Sequence, residues 1–214
     1  ILLNKDYPNV RCSLGALDQD ILNDANEIIL SPGVALSWPE IKTASDKGVF
    51  IRGDIDLFAE TALAPIVAIT GSNGKSTVTT LLGGMAQKCG LNVGVGGNLG
   101  EPALDLLDNN IDLYVLELSS FQLETTHNLN AKSVVLLNLS EDHMDRYPNK
   151  MAYMQAKQRI FRGAKNIIVN NDDIAILQAT GTPISRRIKK LKTKTSIGKY
   201  SIIIVYIIYQ KFCS

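Results

Sequence analysis

Cysteine is scarce in this chain of 214 residues: Cys12, Cys89 and Cys213 are all it has. An odd number without metal-site spacing excludes a disulfide framework, and the three read as reduced cytosolic thiols. Long apolar runs are lacking too. The longest, Ile202 to Tyr209, is eight residues, far short of the ~20 that a membrane helix needs. The N-terminus has neither the basic start nor the apolar stretch of a secretory signal, so the expected location is the cytoplasm. Acid is missing from one segment altogether. Ile184 to Ser214 holds 8 Lys+Arg and no Asp or Glu, whereas Ile1 to Pro183 holds 14 Lys+Arg against 21 Asp+Glu. The near-neutral total of +1 therefore hides an acidic body and a basic tail, which need separate readings. The chain opens on Ile1 rather than Met, which fits a fragment or a processed product.

What is present is ordinary for a globular protein: 45% apolar and 20% charged residues. The length suits one large domain, or one domain and part of another. Residues 1–20 are polar and suggest no element. Glu27 to Leu30 reads as a strand ended by Ser31-Pro32-Gly33. Pro39 to Ser45 reads as a helix, Val49 to Arg52 as a strand, and Asp54 as the cap of a helix running to Ala62. After a boundary near Ala64-Pro65, further strands are expected at Ile66–Thr70, Leu91–Val95, Asp112–Leu118, Ser133–Asn138 and Asn166–Val169. Helices are expected from Val78 to Lys88, around Pro102–Leu107 and from Met151 to Phe161. Strands alternating with helices indicate an α/β fold with a parallel sheet.

The centre of this pattern is Thr70-Gly-Ser-Asn-Gly-Lys-Ser-Thr77. An apolar β-branched strand runs into a loop with two glycines, and a helix follows. Such a loop presents its N–H groups and the helix N-terminus to a phosphate. Lys75 adds a mobile cation, and the hydroxyl after it can ligate Mg²⁺. The usual first glycine is replaced by Ile69, so the loop is a shortened form. The competing reading is a plain glycine turn; the strand–loop–helix context favours a nucleotide phosphate site.

In open parallel sheets, ligands gather at the carboxyl ends of the strands, and polar residues stand at several of these ends. Glu117 interrupts an apolar strand. A buried carboxylate needs a partner or a metal, and beside a triphosphate Mg²⁺ is the natural one; a strand end emerging into solvent is equally consistent. Of the two histidines, His127 reads as structural or exposed, and His143, in a polar loop after a strand, as a ligand or phosphate contact. Asn98 follows two glycines that permit close approach to a ligand or form a turn. Lys157 reads as part of a solvated helix face.

Together, Thr70–Thr77, Gly96-Gly-Asn98, Leu116-Glu-Leu-Ser-Ser-Phe-Gln-Leu-Glu124 and Glu141-Asp-His-Met-Asp-Arg-Tyr-Pro148 closely resemble the Mur ligase family, in particular its D-glutamate-adding members. Ser31–Ala35 and Gly53–Phe58 are similar to the N-terminal UDP-binding domain of the same enzymes. The resemblance implies a Rossmann-like remnant over 1–64 followed by a partial P-loop-type ATPase α/β domain over 65–183, with a further C-terminal domain missing. It also implies an ATP-dependent ligase of peptidoglycan synthesis. In such enzymes the carboxylate of UDP-N-acetylmuramoyl-L-alanine becomes an acyl phosphate, and D-glutamate then displaces phosphate; a monomer is expected.

Carried over residue by residue, Gly71, Ser72, Asn73, Gly74, Lys75, Ser76, Thr77 and Val78 hold ATP, with Lys75 on the transferred phosphate. Ser76 or Thr77 with Glu117 hold one Mg²⁺. His143 helps hold a second and, like Asn98, contacts the sugar nucleotide. Lys157 matches a lysine that is carbamylated into a metal ligand, although the spacing from Pro148 is about one residue short. The implied catalytic residues are thus Lys75, His143 and Lys157. Two other readings stay open: a nucleotide-binding fragment without turnover, and a sister ligase such as a folylpolyglutamate synthase.

The resemblance ends near Pro183. A basic run, Arg186 to Lys194, precedes the Ile-rich stretch 202–209. The latter is too short for an anchor and, having high β propensity and no proline, is prone to aggregate. The expectation for 184–214 is a non-homologous, out-of-frame tail, which sequencing of the coding region would settle.

Overall fold

A computed structural model describes residues 8–10, 12–170 and 188–191. Its elements follow the alternation expected: α1 (Gln19–Asp24), β1 (Glu27–Leu30), α2 (Pro39–Asp46), β2 (Phe50–Gly53), α3 (Asp54–Thr61), β3 (Ile66–Thr70), α4 (Lys75–Lys88), β4 (Val93–Gly97), β5 (Leu113–Glu117), α5 (Ser120–Glu124), β6 (Ser133–Leu136), α6 (Lys150–Gln158), β7 (Ile167–Asn170) and β8 (Ile188–Leu191). Strands β1 and β2 form a parallel pair; the other six form a parallel sheet in the order β4-β5-β3-β6-β7-β8.

The central strands are buried throughout, which is why β3, β5 and β6 read as unbroken apolar runs. Successive residues of β3 serve opposite faces. Val67 and Ile69 pack with Val78 and Leu82 of α4. Ile66 and Ala68 pack with Phe58 of α3, Leu123 of α5 and Ile160. The β1–β2 pair meets this body through Gly53, whose N–H donates to Thr125 O at 3.1 Å; in the following helix α3 the buried Asp56 carboxylate accepts from the N–H groups of His127 and Asn128. His127 Nε2 lies 2.9 Å from Ile51 O, the structural role expected of it.

Several expectations change in detail. Residues 19–24 form a helix capped by the Asp18 side chain. Asp54 does not cap α3; Gly53 is the cap residue and Asp54 the first helical one. The segment around Pro102–Leu107 is a short 3-10 turn, Ala103–Leu106. The last helix ends at Gln158, where a 3-10 turn, Arg159–Phe161, takes over. Helix α5 was not expected, although Ser119 and Gln122 carry the reciprocal capping box that starts it. Within the basic run, Ile188–Leu191 pairs in parallel with β7. The remainder of 184–214, including the Ile-rich stretch and Cys213, lies outside the described residues, as do 1–7. No helix among the described residues is long and apolar enough to cross a membrane.

Candidate functional site

The chemistry gathers at the carboxyl edge of β3, β5 and β6. Beyond Thr70 the backbone turns through Gly71 at φ 155°, where a Cβ would sit 3.0 Å from Leu137 Cβ. Gly74, left-handed at φ 79°, caps α4, and the helix starts at Lys75, three residues earlier than expected. Its first-turn N–H groups have no intrahelical acceptors. Ser76 and Thr77 stand exposed on that turn, while Lys75 Nζ folds back to donate to Ser72 O at 3.1 Å.

The front of the loop is braced against the segment after β6. Ser72 N–H donates to Asn138 O, and Asn73 N–H to Asn138 Oδ1 at 2.8 Å, while Asn138 Nδ2 returns a bond to Asn73 O at 2.9 Å. Ser72 Oγ accepts from Ser140 N–H and bonds Ser140 O and the Tyr153 hydroxyl, each at 3.0 Å. Ser72 and Asn73 therefore hold the loop's shape with groups the sequence reading gave to the phosphate. Val78 is fully buried in the core, and its N–H donates to Gly74 O. Its side chain faces away from the loop opening.

Glu117 ends β5, in register with Ile69 on one side and Gly97 on the other. It is 2% exposed, so the reading of a strand end in solvent fails. Oε1 accepts from Asn98 Nδ2 at 2.8 Å; Oε2 is buried with no hydrogen-bond partner. Asn98 reaches it because Gly97, at φ 97°, brings the chain so close that a Cβ there would lie 2.5 Å from Glu117 O. The Asn98 N–H then donates to that same carbonyl at 2.8 Å.

Lys157 is the largest departure from the residue-level reading. It is 2% exposed on the inner face of α6 rather than solvated. Nζ lies 3.4 Å from Thr70 Oγ1, itself bonded to Leu118 O, and 4.9 Å from the centre of the Tyr153 ring. Burial, and then the charge of Lys75, lower its pKa from 10.5 to about 7, with Asp142 and Glu117 opposing. The one-residue-shorter spacing does not keep Lys157 from the site. Tyr153, four residues earlier on the same helix face, was missed, and the i, i+4 relation to Lys157 could have found it. Burial raises the pKa of its hydroxyl.

His143 occupies the rim. Its backbone is left-handed at φ 54°, its side chain is 45% exposed, and Nε2 lies 3.5 Å from Asp142 Oδ2. The ring stands 4.9 Å from Phe121 and 6.4 Å from Tyr153, centre to centre. The site thus brings together the loop, Asn98, Glu117, Tyr153 and Lys157, with His143 at the edge. Among the described residues, no three His, Cys, Asp or Glu side chains converge as a preformed metal cage. One buried carboxylate with a free oxygen beside two exposed hydroxyls suits instead an oxygen-loving cation that keeps water and phosphate ligands, as Mg²⁺ does.

Comparison with known proteins identifies the relatives of this arrangement. The family model of the Mur ligase middle domain matches residues 69–204, and that of the Mur ligase MurD-like N-terminal domain matches residues 2–53. The UDP-N-acetylmuramoylalanine–D-glutamate ligase of Marinobacter nauticus is 59% identical over 184 residues, which is 86% of this chain and 40% of the relative. The Pseudomonas putida enzyme of the same name is 61% identical over 171 residues, 80% of this chain and 38% of the relative. The chain thus spans about two fifths of the length of these relatives. Among solved structures, the UDP-N-acetylmuramate:L-alanyl-gamma-D-glutamyl-meso-diaminopimelate ligase from Neisseria meningitides aligns with 82% of this chain and 62% of its own, at a TM-score of 0.53 and 16% identity. MurF from Acinetobacter baumannii covers 72% of this chain and 35% of its own, at 0.51 and 18%. At these identities the likeness is one of fold.

Proposed function

This chain belongs to the Mur ligase family, and from that premise we propose that it carries the ATP-binding and acceptor-binding part of an ATP-dependent ligase that joins D-glutamate to UDP-N-acetylmuramoyl-L-alanine. In this reading, residues 1–64 serve the sugar nucleotide and 65–183 the ATP, in a cytoplasmic, monomeric protein. The observation that carries it is Glu117: a buried carboxylate with one oxygen held by Asn98 and the other unpartnered, beside a glycine loop and a free helix N-terminus.

The residues suit a defined division of labour. The acceptor carboxylate attacks the γ-phosphorus of ATP, ADP leaves, and the resulting acyl phosphate loses phosphate to the amine of D-glutamate. Nothing in this sequence requires a protein nucleophile; catalysis rests on positioning and charge neutralisation. Lys75 exchanges the Ser72 carbonyl for the transferred phosphoryl group. The first-turn N–H groups of α4 receive phosphate oxygens. Ser76 or Thr77 and Glu117 would hold Mg²⁺, which supplies charge neutralisation for the phosphates when bound. Asn98 and His143 face the sugar nucleotide. Lys157, with a pKa lowered to about 7, has at neutral pH a large share of the uncharged amine, the form that adds CO₂ with loss of a proton to solvent. The resulting carbamate would offer oxygens to a cation and would relieve the repulsion from Lys75.

A second reading is nucleotide binding without turnover, for which the glycine loop and the free N-terminus of α4 are enough by themselves. A coupled phosphate-release assay with ATP, UDP-N-acetylmuramoyl-L-alanine and D-glutamate separates the two. Release that needs all three substrates supports the ligase. Calorimetric ATP binding without release supports the binding-only reading, and absence of both defeats the proposal.

A further inference from the structure

The guanidinium of Arg146 reaches three segments at once. Nη1 donates to Pro32 O at 2.9 Å, and Nη2 to Val34 O at 3.3 Å and to Glu124 Oε2 at 2.9 Å. Its carbon lies 4.1 Å from the centre of the Phe121 ring. The Arg146 and Glu124 side chains are only 14% and 15% exposed, so the pair is largely withdrawn from water. The backbone of Arg146 also closes the turn that presents His143, since its N–H donates to His143 O at 3.0 Å. That turn contains the left-handed φ of 54° at His143, a conformation that persists only where the surroundings over-determine it.

We propose that Arg146 is a positioning residue for the acceptor. It locks the Pro32–Val34 turn after β1 to the His143 turn and to the end of α5, so that the two sides of the acceptor surface form one rigid body before any ligand arrives. The inference rests on the functional reading above, which assigns the sugar nucleotide to this surface. The chemistry calls for arginine. A planar group with five donors and no acceptor can hold two carbonyls and a carboxylate at once while stacking on a ring. Lysine offers a single ammonium that cannot span those partners. The arrangement leaves Nε buried without a partner, a cost accepted for the bridging geometry. Pre-assembly of this kind acts on affinity, because the ligand no longer has to order the loops it touches.

The test uses the full chain and two substitutions, Arg146→Met and Arg146→Lys. Hydrogen exchange read by mass spectrometry should show peptides spanning 31–37 and 140–147 exchanging about tenfold faster in Arg146→Met, with those spanning 71–88 unchanged. Calorimetric affinity for UDP-N-acetylmuramoyl-L-alanine should fall about tenfold or more in both variants, while ATP affinity holds within about twofold. A purely structural defect would lower both affinities together. The proposal is overturned by unchanged exchange in either segment, by equal loss of ATP affinity, or by full recovery in Arg146→Lys, which would reduce the role to charge opposite Glu124. If Arg146→Met does not fold, Arg146→Lys decides by the same measurements. A wild-type chain without affinity for the sugar nucleotide would sink the functional reading, and the exchange comparison would still decide the clamp.

Discussion

Replacing Lys157 with methionine tests the site more sharply than any other single change. The lysine stem is buried, and its ammonium makes a long contact to Thr70 Oγ1, 3.4 Å, and faces Tyr153; burial and then Lys75 work against its charge, and Asp142 and Glu117 only partly offset them. In the unfolded chain its pKa is the ordinary 10.5; in the fold it is lowered to about 7. A base with a lowered folded pKa binds fewer protons folded than unfolded between these two values, so stability rises with pH across that window. The penalty is therefore fully present below about pH 7 and gone above about pH 10.5. At about 1.4 kcal/mol per tenfold in proton affinity, it amounts to about 5 kcal/mol, comparable with the whole stability of a marginal domain. Methionine fills similar space without the charge, and Thr70 keeps its 2.8 Å bond to Leu118 O. Urea denaturation from pH 6 to pH 10 should show Lys157→Met more stable than wild type by about 3–5 kcal/mol at pH 6. The gap should close as pH rises through the window. A gap independent of pH, or a wild type that is the more stable protein at pH 6, would refute the burial and repulsion assigned to Lys157.

Other perturbations probe the remaining parts of the site. Lys75→Ala removes a cation whose described bond is to its own loop, to Ser72 O. ATP affinity should fall by about tenfold or more with the fold intact, and unchanged calorimetric affinity would remove Lys75 from the phosphate. Asn98→Ala leaves Glu117 Oε1 without its donor and should weaken divalent-cation affinity by about 10–100-fold, followed with Mn²⁺ as a paramagnetic probe; equal Mn²⁺ affinity would mean that Asn98 does not orient Glu117 for a cation. Gly71→Ala places a methyl 3.0 Å from Leu137 Cβ at a φ of 155° and should cost about 1–3 kcal/mol of stability. A urea midpoint equal to wild type would show the loop to be freer than its geometry implies.

What could be read along the chain was whatever depends on near neighbours. The alternation of strands and helices, the burial of β3, β5 and β6 and the phosphate loop all follow from periodicity, glycine placement and β-branched runs, interactions that span a few residues. Glu117 could be singled out because a carboxylate inside an apolar strand needs a reason. The resemblance to a family added roles for particular residues, and it pointed to Lys157 where residue-level reasoning pointed to solvent.

Tertiary structure decided the rest. Lys157 becomes buried because Thr70, 87 residues away, and Tyr153, a turn earlier, close around it. Ser72 becomes a brace rather than an open donor because β6 delivers Asn138 and Ser140 to its side. The β1 turn and the His143 turn meet only because Arg146 can reach Pro32 and Val34, more than a hundred residues back. Such contacts depend on where parallel strands end in space. Sequence separation carries no record of that, so the loop and several of its neighbours could be found from the sequence while the bonds of Asn138, Ser140 and Tyr153 to it could not.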